Sequence, residues 1–217
     1  MQLHTKDIQQ NKDTLIEQIF CKAEYLFINV GIRNTTMDDL ARELGISKKT
    51  LYKTIDNKAD LIHKCLLFDI SRKEEEILQL QKNSNDALDE MLKIGTQIFV
   101  SIGRYKISVV HDLMKFYPES WQLITKHKEN FTKKIIEDNL KKGIEQGIYR
   151  KDINTDMYAK FFIYGTDNCI DMQIFPEEAY TYSNVFKEFF IYHLHGIIAN
   201  TSDKKIINQI NKFLELK

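Results

Sequence analysis

Two prolines and eight glycines among 217 residues leave this chain few places to turn sharply. Those two residue types supply the fixed or positive φ angles of tight turns, so a fold with many strands and hairpins is disfavoured. Long helices need neither, and the abundance of Gln, Lys, Glu, Leu and Ile points the same way. The expected class is all-α. Apolar spacing supports it from the start: Leu15, Ile19, Ala23, Leu26, Phe27 and Val30 recur at steps of three and four, one stripe of a helix opening near Lys12. Gly31 follows as a stop. The polar residues 1–11 ahead of it are expected to fray.

Three helix starts follow closely. Thr36-Met37-Asp38-Asp39 sets a capping hydroxyl before an acidic first turn, Ser47-Lys48-Lys49-Thr50 opens a short helix, and Asn57-Lys58-Ala59-Asp60 opens one running to about Gln81. Further helices are expected over 86–102 and about 105–116, then from Pro118 to Gly143–Gly147. The last ones are expected from Asn154 or Thr155 to about Ile174, from Pro176 to about Ala199, and over 203–217. That makes about nine to ten helices: a three-helix domain over 1–60, then an antiparallel helical domain over 61–217.

Totals narrow the function classes. Lysine plus arginine and aspartate plus glutamate each number 31, so a globally basic nucleic-acid binder is excluded and any such contact must be local. No apolar run approaches a membrane span, and the N-terminus does not read as a signal peptide. Cys21, Cys65 and Cys169 are odd in number and far apart, which fits free thiols in a cytoplasmic protein. His193 and His195 are two apart and diverge on a helix, and His111 with Asp112 has the same problem, so no metal is expected. Nor is a cofactor. The motifs GxSxG and HExxH and a phosphate loop are missing, which argues against an enzyme.

The span Thr36–Ile55 has the features of a helix-turn-helix. Two short helices crossing steeply need a small residue at the contact and a turn residue that tolerates positive φ; Ala41 and Gly45 fit those needs. Leu40, Leu44, Ile46 and Leu51 can form the core. At about 100° per residue with Leu51 inward, Lys49 and Lys53 point away, Thr50 and Tyr52 flank them, and Lys48 lies nearer the buried side. Between Ser47 and Lys58 stand four lysines and one acid, Asp56, a local positive surface that the zero net charge conceals. Lys58 also sits where a helix N-terminus favours phosphate.

The stretch Ile19–Leu61 resembles the N-terminal domain of the tetracycline-repressor-like (TetR) family. Its matching positions are Ala23, Leu26-Phe27, Gly31, Thr35-Thr36, Ala41, Gly45, Ser47, Leu51-Tyr52, Asn57-Lys58 and Leu61. The resemblance implies a transcription regulator that binds double-stranded DNA, usually a repressor on a palindromic operator. Thr36, Tyr52 and Lys58 would contact phosphates; Lys48, Lys49 and Thr50, with Lys53 beside them, would face the major groove. Lys49 stands where the family often has glycine, and Thr54-Ile55 where it has an aromatic pair, which leaves Thr54 without a clear role. The family also implies a homodimer and a small-molecule effector that shifts the helix 57–82 as a lever.

The last two long helices are apolar around more of their circumference than one core covers, so one face of each is expected to meet a symmetry mate. The candidate interface residues are Phe161, Tyr164, Ile170, Phe186, Phe189, Phe190, His193 and Ile197. The alternative is a monomer whose core uses both faces. Aromatic and polar residues that could line an effector cavity are Phe99, Tyr105, His111, Met114, Phe116, Tyr117, Trp121, Phe131, Tyr158 and Phe162. Two other functions stay open: a helical ligand-binding or interaction protein that has lost DNA binding, and an enzyme using that cavity.

Overall fold

A computed structural model of the chain describes residues 2–104, 107–171, 173–176 and 178–215, with side chains over 14–101, 108–171, 173–176 and 178–215. Its elements in chain order are α1 (Gln2–Asn29), α2 (Met37–Glu43), α3 (Lys48–Leu51), α4 (Lys58–Lys82), α5 (Ala87–Arg104), α6 (Ile107–Phe116) and α7 (Pro118–His127). A π-helical segment (Lys128–Thr132) leads into α8 (Lys133–Glu145), and α9 (Thr155–Asn168), α10 (Tyr182–Ile197) and α11 (Lys204–Leu214) follow. Helix α7, the π segment and α8 run on without a break, and they are the single long helix expected after Pro118. Among the described residues no strand forms, only a bridge between Tyr149 and Ile198.

The chain divides into two compact units. The first holds residues 1–72 and 105–125, the second 73–104 and 126–217. The units therefore do not divide at the 60/61 boundary expected from sequence. The first unit's core explains why: Ile19, Ala23, Leu40, Ala41, Leu51 and Ile55 close over Leu61 and Ile62 of α4 and over Val109 and Leu113 of α6. The three N-terminal helices alone leave an apolar face, and α4 and α6 cover it.

In the second unit α5 and α8 to α11 surround a core with Phe162, Phe186 and Phe190 fully buried. A buried polar network anchors the start of α5. The Ala87 carbonyl accepts from Asn139 Nδ2 (2.9 Å) and from Tyr149 Oη (3.0 Å), and the Ala87 N–H donates to Gln146 Oε1 (2.8 Å). Beside it, Lys142 pairs with Glu90 at 2.7 Å, and Glu90 also accepts from Gln81 Nε2 of α4 (3.2 Å). The π segment is tied to α9, with Lys128 paired to Asp167 and Tyr164 Oη donating to Glu129 (3.2 Å).

Three helix limits differ from expectation. Helix α1 begins at Gln2 rather than near Lys12. Helix α9 stops at Asn168 rather than Ile174, the Cys169 N–H closing it on the Gly165 carbonyl. Pro176 then nucleates only a turn, its carbonyl accepting from Ala179 and Tyr180 N–H. Helix α10 starts instead behind Thr181, whose hydroxyl accepts from the Asn184 N–H and caps the helix.

Candidate nucleic-acid interface

The site is assembled by caps and one glycine. Thr36 accepts from the Asp39 N–H while the Asp39 carboxylate accepts from the Thr36 N–H, a reciprocal box that fixes where α2 begins. Two residues past α2, Gly45 adopts φ +65°, a left-handed value costly for other residues, and the chain turns. The Ile46 N–H returns to the Ala41 carbonyl (3.0 Å). Ser47 then caps α3, its Oγ accepting from the Thr50 N–H (3.1 Å). Fully buried Leu40, Leu51 and Ile55, with Ala41, lock the crossing, so the outer face of α3 is held rigidly.

The seven residues expected to meet DNA are not equivalent. Lys49 and Lys53 are exposed, and their ammonium groups make no hydrogen bond or ion pair among the described residues; Tyr52 is 47% exposed beside them. Lys48 is exposed, and its ammonium pairs with Asp38 of α2 at 2.6 Å, a carboxylate that offsets the charge it offers. Thr36 Oγ1 is 2.6 Å from the Asp39 carboxylate, and Thr50 Oγ1 is 2.8 Å from Ser47 Oγ, so both hydroxyls are engaged in caps. Lys58 is half-buried and donates to the Arg33 carbonyl (3.1 Å); burial lowers its pKa, partly offset by the Asp112 carboxylate. Thr54 has its carbonyl bonded by Lys64 (2.9 Å). Sequence reading missed Arg33, an exposed cation whose guanidinium lies 5.0 Å from the centre of the Phe116 ring.

The other expected residues divide between the units. In the second unit Phe99 and Phe162 are buried and Tyr158 and Phe131 are partly buried against its core. In the first, Tyr117 and Trp121 pack on the core, and Phe116 and Tyr117 line a groove with Asn57 and His63. His111, Met114 and Phe116 are exposed, and Tyr105 lies outside the described residues.

Of the expected interface residues, Phe161 (58%) and Tyr164 (49%) are exposed. Phe186, Phe190, His193 and Ile197 are instead inside the chain's own core, where they cannot form a surface. The correction has a simple cause: α10 packs on α5 and α9 and meets α11 through the Phe190–Phe213 ring pair, so more of its circumference is consumed within the chain than its composition suggests. Ile170 and Phe189 are half-buried. Among the described residues no cluster of three or more potential metal ligands occurs, and no helix is long and apolar enough to cross a membrane.

The surroundings of this surface have counterparts elsewhere. Residues 19–65 match the family described as bacterial regulatory proteins, tetR family. No curated protein is matched by sequence. Among solved structures, a putative transcriptional regulator from Saccharomonospora viridis in complex with choline is similar, with TM-score 0.72 and 18% identity over 87% of this chain and 100% of that one. A TetR-family transcriptional regulator from Agrobacterium tumefaciens follows with TM-score 0.67 and 17% identity over 86% and 99%. The transcriptional regulator FadR from Bacillus subtilis in complex with stearoyl-CoA has TM-score 0.61 and 16% identity over 83% and 98%. Residues 19–65, which carry the helix-turn-helix, are thus similar to the tetR family of bacterial regulatory proteins, and the all-helical fold along most of the chain is shared with solved transcriptional regulators.

Proposed function

We propose that the chain is a sequence-specific DNA-binding transcription regulator that acts as a homodimer on a two-fold operator and is switched by a small organic molecule. The observation that carries this reading is the rigidly held outer face of α3 and the turn after it, where Lys49 and Lys53 offer unengaged ammonium groups beside the exposed ring of Tyr52. Cations held on a rigid face without intramolecular partners are available to phosphates and base edges. The homodimer is supported by exposed Phe161 and Tyr164 on α9 and Tyr192 on α10. The effector is supported only by kinship: similar regulators are complexed with choline and with stearoyl-CoA, molecules too unlike each other to transfer a ligand class.

The test is fluorescence anisotropy with duplexes from the DNA upstream of the protein's own gene. Binding is expected in the nanomolar range, with affinity falling on the order of tenfold or more as salt rises through the physiological range. Lys49→Ala is expected to change the ranking among related duplexes; Lys53→Ala is expected to lower affinity for all of them. Absent or salt-insensitive binding refutes the proposal.

A further inference from the structure

Two of the three cysteines stand in the first unit, one on each of two helices that pack together. Three contacts mark the packing of α1 on α4. The Phe20 and Phe68 rings lie 5.5 Å apart, Arg72 meets Glu24 at 4.0 Å, and the Cys65 Sγ lies 4.0 Å from the Phe20 carbonyl oxygen. That carbonyl belongs to the same peptide group as the Cys21 N–H. Cys21 and Glu24 are three residues apart on one helix face, and Cys65, Phe68 and Arg72 follow one another at steps of three and four on the other. The two rows meet, and Cys21 and Cys65 hold matching positions within them. The sulfurs are near enough for Cys21 to act on the Cys65 thiol electrostatically. A disulfide needs Cα atoms roughly 4.4–6.8 Å apart, and a sulfur seated against the backbone of the opposite helix is what so close an approach requires.

The two thiols differ in access. Cys21 is exposed, whereas Cys65 is partly buried, and burial first, then Glu24, Cys21 and Asp69, pushes its pKa up. An oxidant in solution therefore meets Cys21.

From this arrangement we propose that Cys21 and Cys65 form a modification site, at which a peroxide oxidises the pair to a disulfide that ties α1 to α4. In the first step the Cys21 sulfur attacks one peroxide oxygen and the O–O bond breaks. Cys21 becomes a sulfenic acid, and the other oxygen leaves with the thiol proton as water. In the second step the Cys65 sulfur attacks the Cys21 sulfur, the S–O bond breaks, and the hydroxyl leaves with the Cys65 proton as a second water. Two electrons pass from the thiols to the peroxide. Because Cys65 holds its proton, the second step is the slow one. The bond spans the core on which α2 and α3 rest and stiffens that unit. The proposal goes beyond DNA binding and does not depend on it.

The test uses the full reduced chain in native buffer, treated with hydrogen peroxide, alkylated and digested with trypsin without reductant. Peptides 13–22 and 65–72 are expected to appear joined, at a mass two hydrogens below their sum, and to separate in dithiothreitol. Helical circular dichroism should be unchanged throughout. Dimedone, which traps sulfenic acids, should capture Cys21 at early times and progressively less as the joined peptide grows. In Cys65→Ala the joined peptide should be lost, and late capture of Cys21 should rise several-fold. In Cys21→Ser, a change at an exposed position, Cys65 should stay a thiol. Absence of the joined peptide, equal late capture in the wild type and Cys65→Ala, or a Cys21–Cys21 bond between two copies in its place would each overturn the proposal.

Discussion

Burial keeps the imidazole of His193 neutral. The ring is packed at 5.0 Å from Phe162, its Nε2 has no hydrogen-bond partner among the described residues, and desolvation pushes its pKa down to about 4. An unfolded chain would bind that proton near the ordinary value of about 6.5. Between those two values the unfolded state holds more protons, so stability is complete above about pH 6.5 and drains as pH falls toward 4. Urea unfolding at fixed protein concentration should show about 2 kcal/mol less stability at pH 5 than at pH 7 from this group. His193→Leu should flatten that difference, and an unchanged pH slope in the variant would show that other groups dominate. The thiols differ in the same way. Burial raises Cys169 to about 11 and Cys65 further, whereas Cys21 is exposed. A thiol-reactive dye should therefore label Cys21 in the native state well before the other two, a ranking checked by peptide mass spectrometry.

Among the elements, the start of α5 is held by few groups. Tyr149 Oη serves both the Ala87 carbonyl and Asn139 Oδ1, and its ring covers Gly143 so closely that an added Cβ would collide with it. Tyr149→Phe leaves the Ala87 carbonyl with its Asn139 donor and should cost about 1 kcal/mol. Gly143→Ala must move a fully buried ring and should cost more, about 1–3 kcal/mol. Thermal unfolding ranks them, and equal losses would deny the close approach. The same comparison shows what a sequence can disclose. Thr36, Gly45, Ser47 and Asn154 act locally, through bonds to residues three away or through their own φ, so their roles could be read directly. The Lys48–Asp38 pair spans ten residues and the Lys58–Arg33 bond twenty-five, and no local pattern encodes either. Phe186 and Phe190 read as surface for the same reason: only the packing of α5, α9 and α11 reveals which faces of α10 remain free.

For the molecule as a whole, net charge is zero, so no broad field draws the chain to DNA and affinity depends on how many local cations dock at once. One copy offers the few lysines of a single α3. Two copies related by a two-fold axis double that number, provided their half-sites lie about 34 Å apart. The exposed apolar residues on α9 and α10, Phe161 and Tyr192 (79% exposed), are the side chains on which such a pairing would depend. Light scattering on the wild type should give about twice the 25.7 kDa chain mass. The pair Phe161→Glu and Tyr192→Glu should give a single chain with unchanged helical circular dichroism, since neither side chain belongs to a core. That monomer should bind operator DNA with a salt slope about half that of the dimer, because slope counts phosphates neutralised and only one α3 then docks. A wild type that stays monomeric at tens of micromolar, or a variant that remains dimeric, would show that these residues do not join the two copies. An unchanged slope in a true monomer would show that DNA binding never depended on a second copy.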